Sequence, residues 1–311
     1  MNTHSNNASA NSVSNQRNSA RHRARLLRRI ALVGAGLCVL AVLAFSNSDR
    51  ADSKEPVEVA AVGPNATATL ATAALGAADK PSGSFKGVVT FKGTPPARKL
   101  IHKKGDPKIE KAEDRAVCAA EDYFSDEFLV NEKADNGVAN VVIYLEKTPA
   151  GYTPPPVPEE PVVFDQKNCR FIPHILLIRC NQKMLIKSGD PVVHNTNITS
   201  IRNTGFNQTI APENRTGVEY TYKKPEGRPV PVKCDLHTFM KAHHLPLEHP
   251  LAAVTDAEGK FEIKGVPPGK HTFIVWHEMC GYLNRKLEVE IKADKPTEEK
   301  LSYTASQFFK P

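Results

Sequence analysis

The chain has 311 residues and a formal charge of +7, but that charge is unevenly distributed. Six arginines precede residue 30, where there are no acidic residues, so the rest of the chain holds 35 basic against 34 acidic residues. This near-neutral remainder removes the main argument for nucleic-acid binding, and we predict no nucleic-acid partner. The length has room for about two domains.

The arginines are followed by an uncharged apolar segment of sixteen residues, Ile30–Phe45. Such a segment suits either the apolar region of a signal peptide or a short membrane anchor. We therefore predict that residues 1–45 are a signal peptide or an anchoring helix, and that the remainder is exported to the periplasm or the cell surface. Residues 46–83 are rich in Ala, Ser, Thr and Asp, which predicts a flexible spacer.

From Ser84 onward, short β-rich segments alternate with Gly- and Pro-containing turns, which predicts a mostly β protein. A stretch with six prolines, Thr148–Pro161, separates an early group of strands from a middle unit at 162–247. The strands that the pattern predicts most clearly are Val138–Leu145, Ile175–Arg179, Met184–Lys187, Val218–Tyr222, Phe261–Ile263 and His271–Trp276.

The middle unit contains Cys234-Asp-Leu-His237-Thr-Phe-Met240, and His194 lies forty residues before Cys234. One thiolate, two imidazoles and one thioether are the donors of a blue-copper site, in which a His2Cys plane is completed by a weak axial Met. Zinc is the competing metal, but the soft thioether favours copper. The alternative is that Cys234 and Met240 only pack in the core.

Two motifs of the middle unit resemble the plastocyanin/amicyanin branch of the cupredoxins: Lys187–Asn195, which ends in His-Asn, and the short Cys-x-x-His-x-x-Met loop. The resemblance implies a Greek-key β-sandwich over residues 162–247. It also implies that Asn195 braces the cysteine loop and that His237 presents the exposed imidazole edge. The copper ligands that it implies are His194, Cys234, His237 and Met240.

A further motif, Thr255-Asp256-x-x-Gly259-x-Phe261-x-Ile263, continues into Val-Pro-Pro-Gly and resembles the carboxypeptidase regulatory-like domain, a small non-catalytic β-sandwich. Because its opening strands precede the proline-rich stretch, we predict that residues 84–147 and 250–305 form one sandwich interrupted by the cupredoxin unit. The peptidases associated with such domains carry a His-x-x-Glu motif, which the sequence lacks. The cupredoxin-like unit is also similar to exported proteins labelled methylamine-utilisation proteins.

Other cysteines and histidines leave alternatives open. If Cys234 binds metal, four cysteines after the apolar segment could form two disulfides in an oxidising compartment, in any of three pairings. His243-His244, His174 and Trp276-His277-Glu278 could each belong to an accessory site, and we favour packed or surface side chains for all of them. The four cysteines are Cys118, Cys169, Cys180 and Cys280.

The sequence thus predicts an exported type-1 copper protein, anchored or released, that transfers single electrons between redox partners such as a cytochrome and an oxidase. We predict no enzyme activity, because the site has neither an open metal position nor a general base. The alternative function is a non-catalytic periplasmic or cell-surface scaffold in which copper is structural or absent. Copper storage or delivery is a third possibility.

Overall fold

The computed structural model describes residues 81–309. The predicted signal or anchor segment and nearly all of the spacer lie outside these residues. Between residues 81 and 309 no helix is long and apolar enough to cross a membrane. This part of the chain is mostly β, as the sequence predicts, with many strands and two short helices, α1 (Ala112–Cys118) and α2 (Ala305–Phe308).

The strands fall into three groups along the chain. The first group is β1 (Gly83–Lys92), β2 (Leu100–His102), β3 (Tyr123–Phe124), β4 (Val130–Asn131), β5 (Gly137–Val138) and β6 (Val142–Tyr144). The middle group is β7 (Val162–Lys167), β8 (Arg170–Ile172), β9 (Ile175–Arg179), β10 (Met184–Ile186), β11 (His194–Ile198), β12 (Phe206–Ile210), β13 (Val218–Tyr220), β14 (Val230–Lys233) and β15 (Lys241–Leu247). The last group is β16 (Ala252–Val254), β17 (Lys260–Val266), β18 (Gly269–His277), β19 (Gly281–Ile291) and β20 (Pro296–Thr304).

The strands β2 and β3 pair only with each other, and the remaining strands of the first and last groups share two sheets. One has the order β17-β1-β5-β4, with β20 also pairing with β1, and the other has the order β16-β6-β18-β19. β17 shows why a strand forms here: Phe261 and Ile263 are buried while Lys260 and Glu262 are exposed, the two-residue period of a half-buried strand. β6 is buried at every position because it lies between β16 and β18.

The middle group forms two sheets of its own. Their orders are β13-β10-β7-β8 and β12-β11-β14-β15-β9. The ends of this group leave from neighbouring points of the flanking sheet, since Tyr144 of β6 pairs with Ala252 of β16. Among the strand pairs of residues 81–309, none joins a middle strand to a flanking one.

One part of the first group packs on the middle unit instead of on the flanking sheets. Ile109, Cys118 and Ala119, in and beside α1, belong to the same buried cluster as Phe164 and Met184 of the middle strands. The Cys118–Cys169 disulfide joins α1 to the turn between β7 and β8. The predicted bounds 84–147 include this stretch in the flanking sandwich. Its polar composition does not indicate that it packs on the middle unit.

A smaller apolar cluster lies at the seam between the middle strands and the flanking sheets. It joins Tyr144 of β6 and Trp276 of β18 to Ile175 of β9 and Leu245 of β15. Fully burying one large aliphatic side chain stabilises a fold by about 1.5–3 kcal/mol. The middle and flanking strands therefore share packed side chains as well as covalent connections.

Gly259 tests whether the two flanking groups pack as described. A Cβ atom at Gly259 would lie 2.4 Å from the carbonyl oxygen of Val89 and 2.8 Å from Cα of Gly137, and its φ is +77°. Gly265 also has a positive φ, +69°, but faces open space. We expect Gly265→Ala to lower the free energy of unfolding by about 1–2 kcal/mol, the cost of a left-handed alanine. Gly259→Ala should cost a further ~1–3 kcal/mol because it also overpacks. Urea unfolding followed by circular dichroism measures both; equal losses would contradict the packing of Gly259 against β1 and β5.

Candidate metal centre

The predicted ligands lie at the ends of neighbouring strands. His194 is the first residue of β11, and Cys234 directly follows β14. These two strands pair antiparallel, with Ile198 opposite Val232, which carries both ligands to the same end of the sheet. His237 and Met240 lie on the short loop that connects β14 to β15.

Three of the four predicted ligands come together in the structure. One donor atom from each of His194, Cys234 and His237 lies within 4.8 Å of the other two. Nδ1 of His194 is 3.1 Å from Nδ1 of His237, and that nitrogen is 3.8 Å from Sγ of Cys234. His194 and Cys234 are fully buried and His237 is 4% exposed. This is a compact, buried set of two imidazoles and a thiol.

Met240, the fourth predicted ligand, is fully buried at the end of the same loop. Its backbone closes the loop: its amide donates to the carbonyl of His237 at 2.8 Å, and its carbonyl accepts from the amide of Cys234 at 3.2 Å. These bonds hold the segment from Cys234 to Met240 in a tight turn.

Asn195 braces the cysteine loop, as the resemblance implies. Its side-chain oxygen accepts hydrogen bonds from the amide of Asp235 at 2.6 Å and from the thiol of Cys234 at 3.3 Å. The backbone amide of Asn195 lies 3.5 Å from Sγ of Cys234 and donates to it. A sulfur that receives an amide hydrogen bond is better stabilised as a thiolate, and the loop is tied to β11.

Asp190 belongs to the candidate site, and the sequence analysis did not single it out. Its carboxylate is 2% exposed and accepts a hydrogen bond from Nε2 of His194 at 2.8 Å. It also accepts from the backbone amides of Asn168 at 2.6 Å and Cys169 at 2.8 Å. By holding Nε2, Asp190 directs the opposite nitrogen of His194 towards His237 and Cys234, which is how carboxylates orient metal-binding histidines.

The charges at this cluster favour a thiolate. Burial raises the pKa of the Cys234 thiol, but hydrogen bonds from His194 and His237 outweigh it and lower that pKa to about 6. Burial lowers the pKa of His194, whereas its hydrogen bonds to Asp190 and Cys234 raise it to about 9. For Asp190, burial raises the pKa and the hydrogen bond from His194 with those from two backbone amides lowers it overall. A thiolate is the form of cysteine that binds metals.

The expectation that His237 presents an exposed edge is wrong. Helix α1 covers it: Oδ2 of Asp114 lies 3.3 Å from Nε2 of His237. Phe239 packs on the same imidazole, and His102 packs in turn on Phe239 with ring centroids 4.5 Å apart. The disulfide of Cys118, the last residue of α1, keeps the helix in place. The only signal in the sequence is the acidic pair Glu113-Asp114 before Cys118. That pair does not indicate which surface the helix packs against.

The other histidines singled out in the sequence are buried or partly buried. His244 is fully buried and its Nδ1 pairs with the hydroxyl of Tyr222 at 3.0 Å, which is the packed role that we favoured. His174 and His243 face Glu278 across the seam. Cys169, which also lies within 4.8 Å of Asp190 and His194, is in the disulfide and offers no thiolate.

No protein-family model matches the chain, and the curated proteins give no match either. Solved structures do: amicyanin from Paracoccus versutus is 14% identical over 35% of this chain and 99% of its own, with a TM-score of 0.25. A purple cupredoxin from Nitrosopumilus maritimus is 13% identical over 28% of this chain and 98% of its own, with a TM-score of 0.23. A copper-containing nitrite reductase from Thermus scotoductus SA-01 is 18% identical over 32% of this chain and 25% of its own, with a TM-score of 0.25. At such values the likeness carries no argument about function, which depends on the residues themselves.

Asp190→Asn tests the carboxylate beneath His194. Because the amide replaces a buried charge that accepts three hydrogen bonds, we expect the metal-free chain to lose about 2–4 kcal/mol of unfolding free energy at pH 7. Chemical denaturation measures this loss. The matched control is Asp165→Asn, which removes the 2.8 Å ion pair with the exposed Arg215 and should cost less than about 1 kcal/mol. A loss no larger than the control's would show that Asp190 does not organise the site.

Proposed function

We propose that this protein is an exported type-1 copper protein that carries single electrons between redox partners. The observation that carries the proposal is the buried convergence of His194, Cys234 and His237 within 4.8 Å. A thiolate and two imidazoles are the ligands that type-1 copper requires, and the Met240 loop offers a weak soft ligand. Copper bound there would supply a reversible one-electron couple.

Each residue has a defined part in this proposal. Cys234 would provide the thiolate and His194 and His237 the two imidazoles, while Met240 would be the axial ligand. Asp190 holds the His194 ring and Asn195 holds the cysteine loop, so the ligands keep their positions when the charge of the site changes. The four ligands leave no position for a substrate, so the proposal includes no catalytic turnover.

The domain organisation that we propose is a cupredoxin unit at 162–247 inserted into one sandwich formed by 84–147 and 250–305, with the stretch around α1 packed on the inserted unit. Two facts support it: middle and flanking strands pair in separate sheets, and the insertion begins and ends at the adjacent strands β6 and β16. Export is supported by the Cys118–Cys169 disulfide, since such bonds persist mainly in oxidising compartments. The arginine-rich start and the apolar segment 30–45 agree with this.

One observation favours the second candidate, a non-catalytic scaffold with structural or absent copper. The cover that α1 places over His237 removes the exposed imidazole through which a partner would make contact. A carrier would then have to pass electrons through the cover or by another route. The two functions therefore differ in redox reversibility and in the rate of exchange with an external partner.

The first test is visible absorption of the full-length chain titrated with Cu(II). We expect an intense band from thiolate-to-copper charge transfer that disappears on reduction and returns on oxidation. Cys234→Ser should abolish the band because it removes the sulfur ligand. Cys180→Ser is the matched control, a buried thiol of the same unit outside the ligand loop, and should leave the band unchanged. A folded wild-type chain without the band would reject the electron-carrier proposal and leave the scaffold.

Asp114 gives a second test, of the cover on α1. Because a nearby carboxylate stabilises the more positive oxidised state, Asp114→Asn should raise the reduction potential, on the order of tens of millivolts for a charge at this distance and partial exposure. Redox titration of the copper-loaded chain measures the shift. Glu113→Gln removes the same charge from an exposed neighbouring position and should shift the potential much less. Equal shifts would mean that α1 does not place Asp114 against His237 in solution.

A further inference from the structure

Asp235, an exposed residue of the loop that connects β14 to β15, collects polar side chains from three neighbouring strands. Its carboxylate oxygen Oδ2 accepts hydrogen bonds from the side-chain amides of Asn195 at 3.0 Å, Asn197 at 2.9 Å and Asn207 at 3.0 Å. Its other oxygen, Oδ1, lies 2.9 Å from Nζ of Lys233. The carboxylate thus has partners on β11, β12 and β14.

The strand register brings these donors to one face of the sheet. Asn197 lies opposite Asn207 on β12 and opposite Lys233 on β14. Side chains of directly opposite residues on neighbouring strands share a face and are close enough to interact. Asn195 precedes Asn197 by two residues, so it points to that same face. Asp235 follows Lys233 by two residues and therefore meets a row of donors that the sheet itself has assembled.

The bond from Asn195 to Asp235 determines which way the side-chain amide of Asn195 faces. Its nitrogen Nδ2 donates to Asp235 and, at 2.7 Å, to the side-chain oxygen of Asn207. Its oxygen Oδ1 accepts from the backbone amides of Asp235 at 2.6 Å and Leu236 at 3.3 Å. With the amide group turned over, its NH2 would face two N–H donors and its oxygen would face a carboxylate. The carboxylate and the two backbone amides therefore select one orientation of Asn195.

That orientation decides which atoms surround the sulfur of Cys234. Oδ1 of Asn195 lies 3.3 Å from this sulfur, and the backbone nitrogen of Asn195 lies 3.5 Å from it. Because the backbone amides of Asp235 and Leu236 also bind Oδ1, this oxygen keeps two donors when the thiol loses its proton to bind a metal ion. A turned side chain would place an NH2 group beside the sulfur and would lose both backbone bonds to the loop.

We propose that Asp235 is a positioning residue that fixes the side chain of Asn195 and, through it, the hydrogen bonds around the sulfur of Cys234. The consequence for copper rests on the proposed function, whereas the fixing of Asn195 does not. Partners that orient metal ligands contribute about 10–100-fold to metal affinity. Because Asp235 acts through Asn195, we expect its contribution at the lower end of that range, about tenfold.

Hydrogen exchange of the metal-free, full-length chain tests the positioning directly. In Asp235→Ala the backbone amides at positions 235 and 236 should exchange about five- to tenfold faster, after correction for intrinsic rates, because their acceptor on Asn195 is no longer held. The amide of Met240, which donates to the carbonyl of His237 at 2.8 Å in the same loop, should be unchanged. Asp235→Asn keeps an acceptor oxygen and should retain most of the protection.

Lys233→Met is the matched control for the charge of Asp235. It removes the exposed ion pair at Oδ1 and leaves the three amide bonds at Oδ2, so it should not change the exchange at positions 235 and 236. Equal acceleration in Lys233→Met and Asp235→Ala would show that surface charge alone controls the loop. That result, or no acceleration in Asp235→Ala, would overturn the proposal.

Titration with Cu(II) separates this inference from the proposed function. With a thiolate-to-copper band in the wild-type chain, Asp235→Ala should bind copper about tenfold more weakly and shift the band, because the hydrogen bonds at the sulfur change. Lys233→Met should leave the band in place. A wild-type chain without the band, combined with the expected exchange, would reject the copper proposal and support the positioning of Asn195. Faster exchange in Asp235→Ala with an unshifted band and unchanged copper affinity would overturn the link to the sulfur of Cys234.

Discussion

The buried carboxylate of Asp190 is the interaction on which the rest of the candidate metal centre depends. It joins three parts of the molecule: the ring of His194 on β11, the turn at Asn168 and Cys169, and through the disulfide of Cys169 the helix α1. A charge buried this deeply is stable only when its hydrogen bonds are all made. The position of His194 and the position of the helix over His237 are therefore set by the same few contacts.

This linkage changes how the two candidate functions relate to each other. In a separate electron carrier the ligand loop would face the partner directly, and the flanking sandwich would be only a support. Here the stretch that includes α1 precedes the middle unit in sequence, packs on its core and places Asp114 against His237. The stretch before the middle unit therefore contributes to the environment of the candidate site. Access to His237 depends on helix α1, which belongs to that stretch.

The sequence predicts the parts of this structure that local pattern controls. Ile175–Arg179 is a strand with the predicted bounds, and the Phe261–Ile263 alternation lies within β17. The short spacing from Cys234 to Met240 places three of the candidate donors on one loop. That His194 joins them from forty residues upstream was an expectation from the resemblance of two motifs to the cupredoxins, and the structure brings it beside Cys234 and His237.

What the sequence could not predict depends on pairs that are far apart along the chain. The cover over His237 follows from a disulfide with a sequence separation of 51, and four cysteines allow three pairings that composition cannot rank. In the sequence, Asp190 is a polar residue in a predicted turn, and only the fold shows that its carboxylate contacts the ring of His194. Glu278 and His243 likewise meet only because the contact between the middle and flanking strands buries both. The surroundings of His237 are therefore set by the contacts between the middle unit and the stretch that precedes it as much as by the loop from Cys234 to Met240.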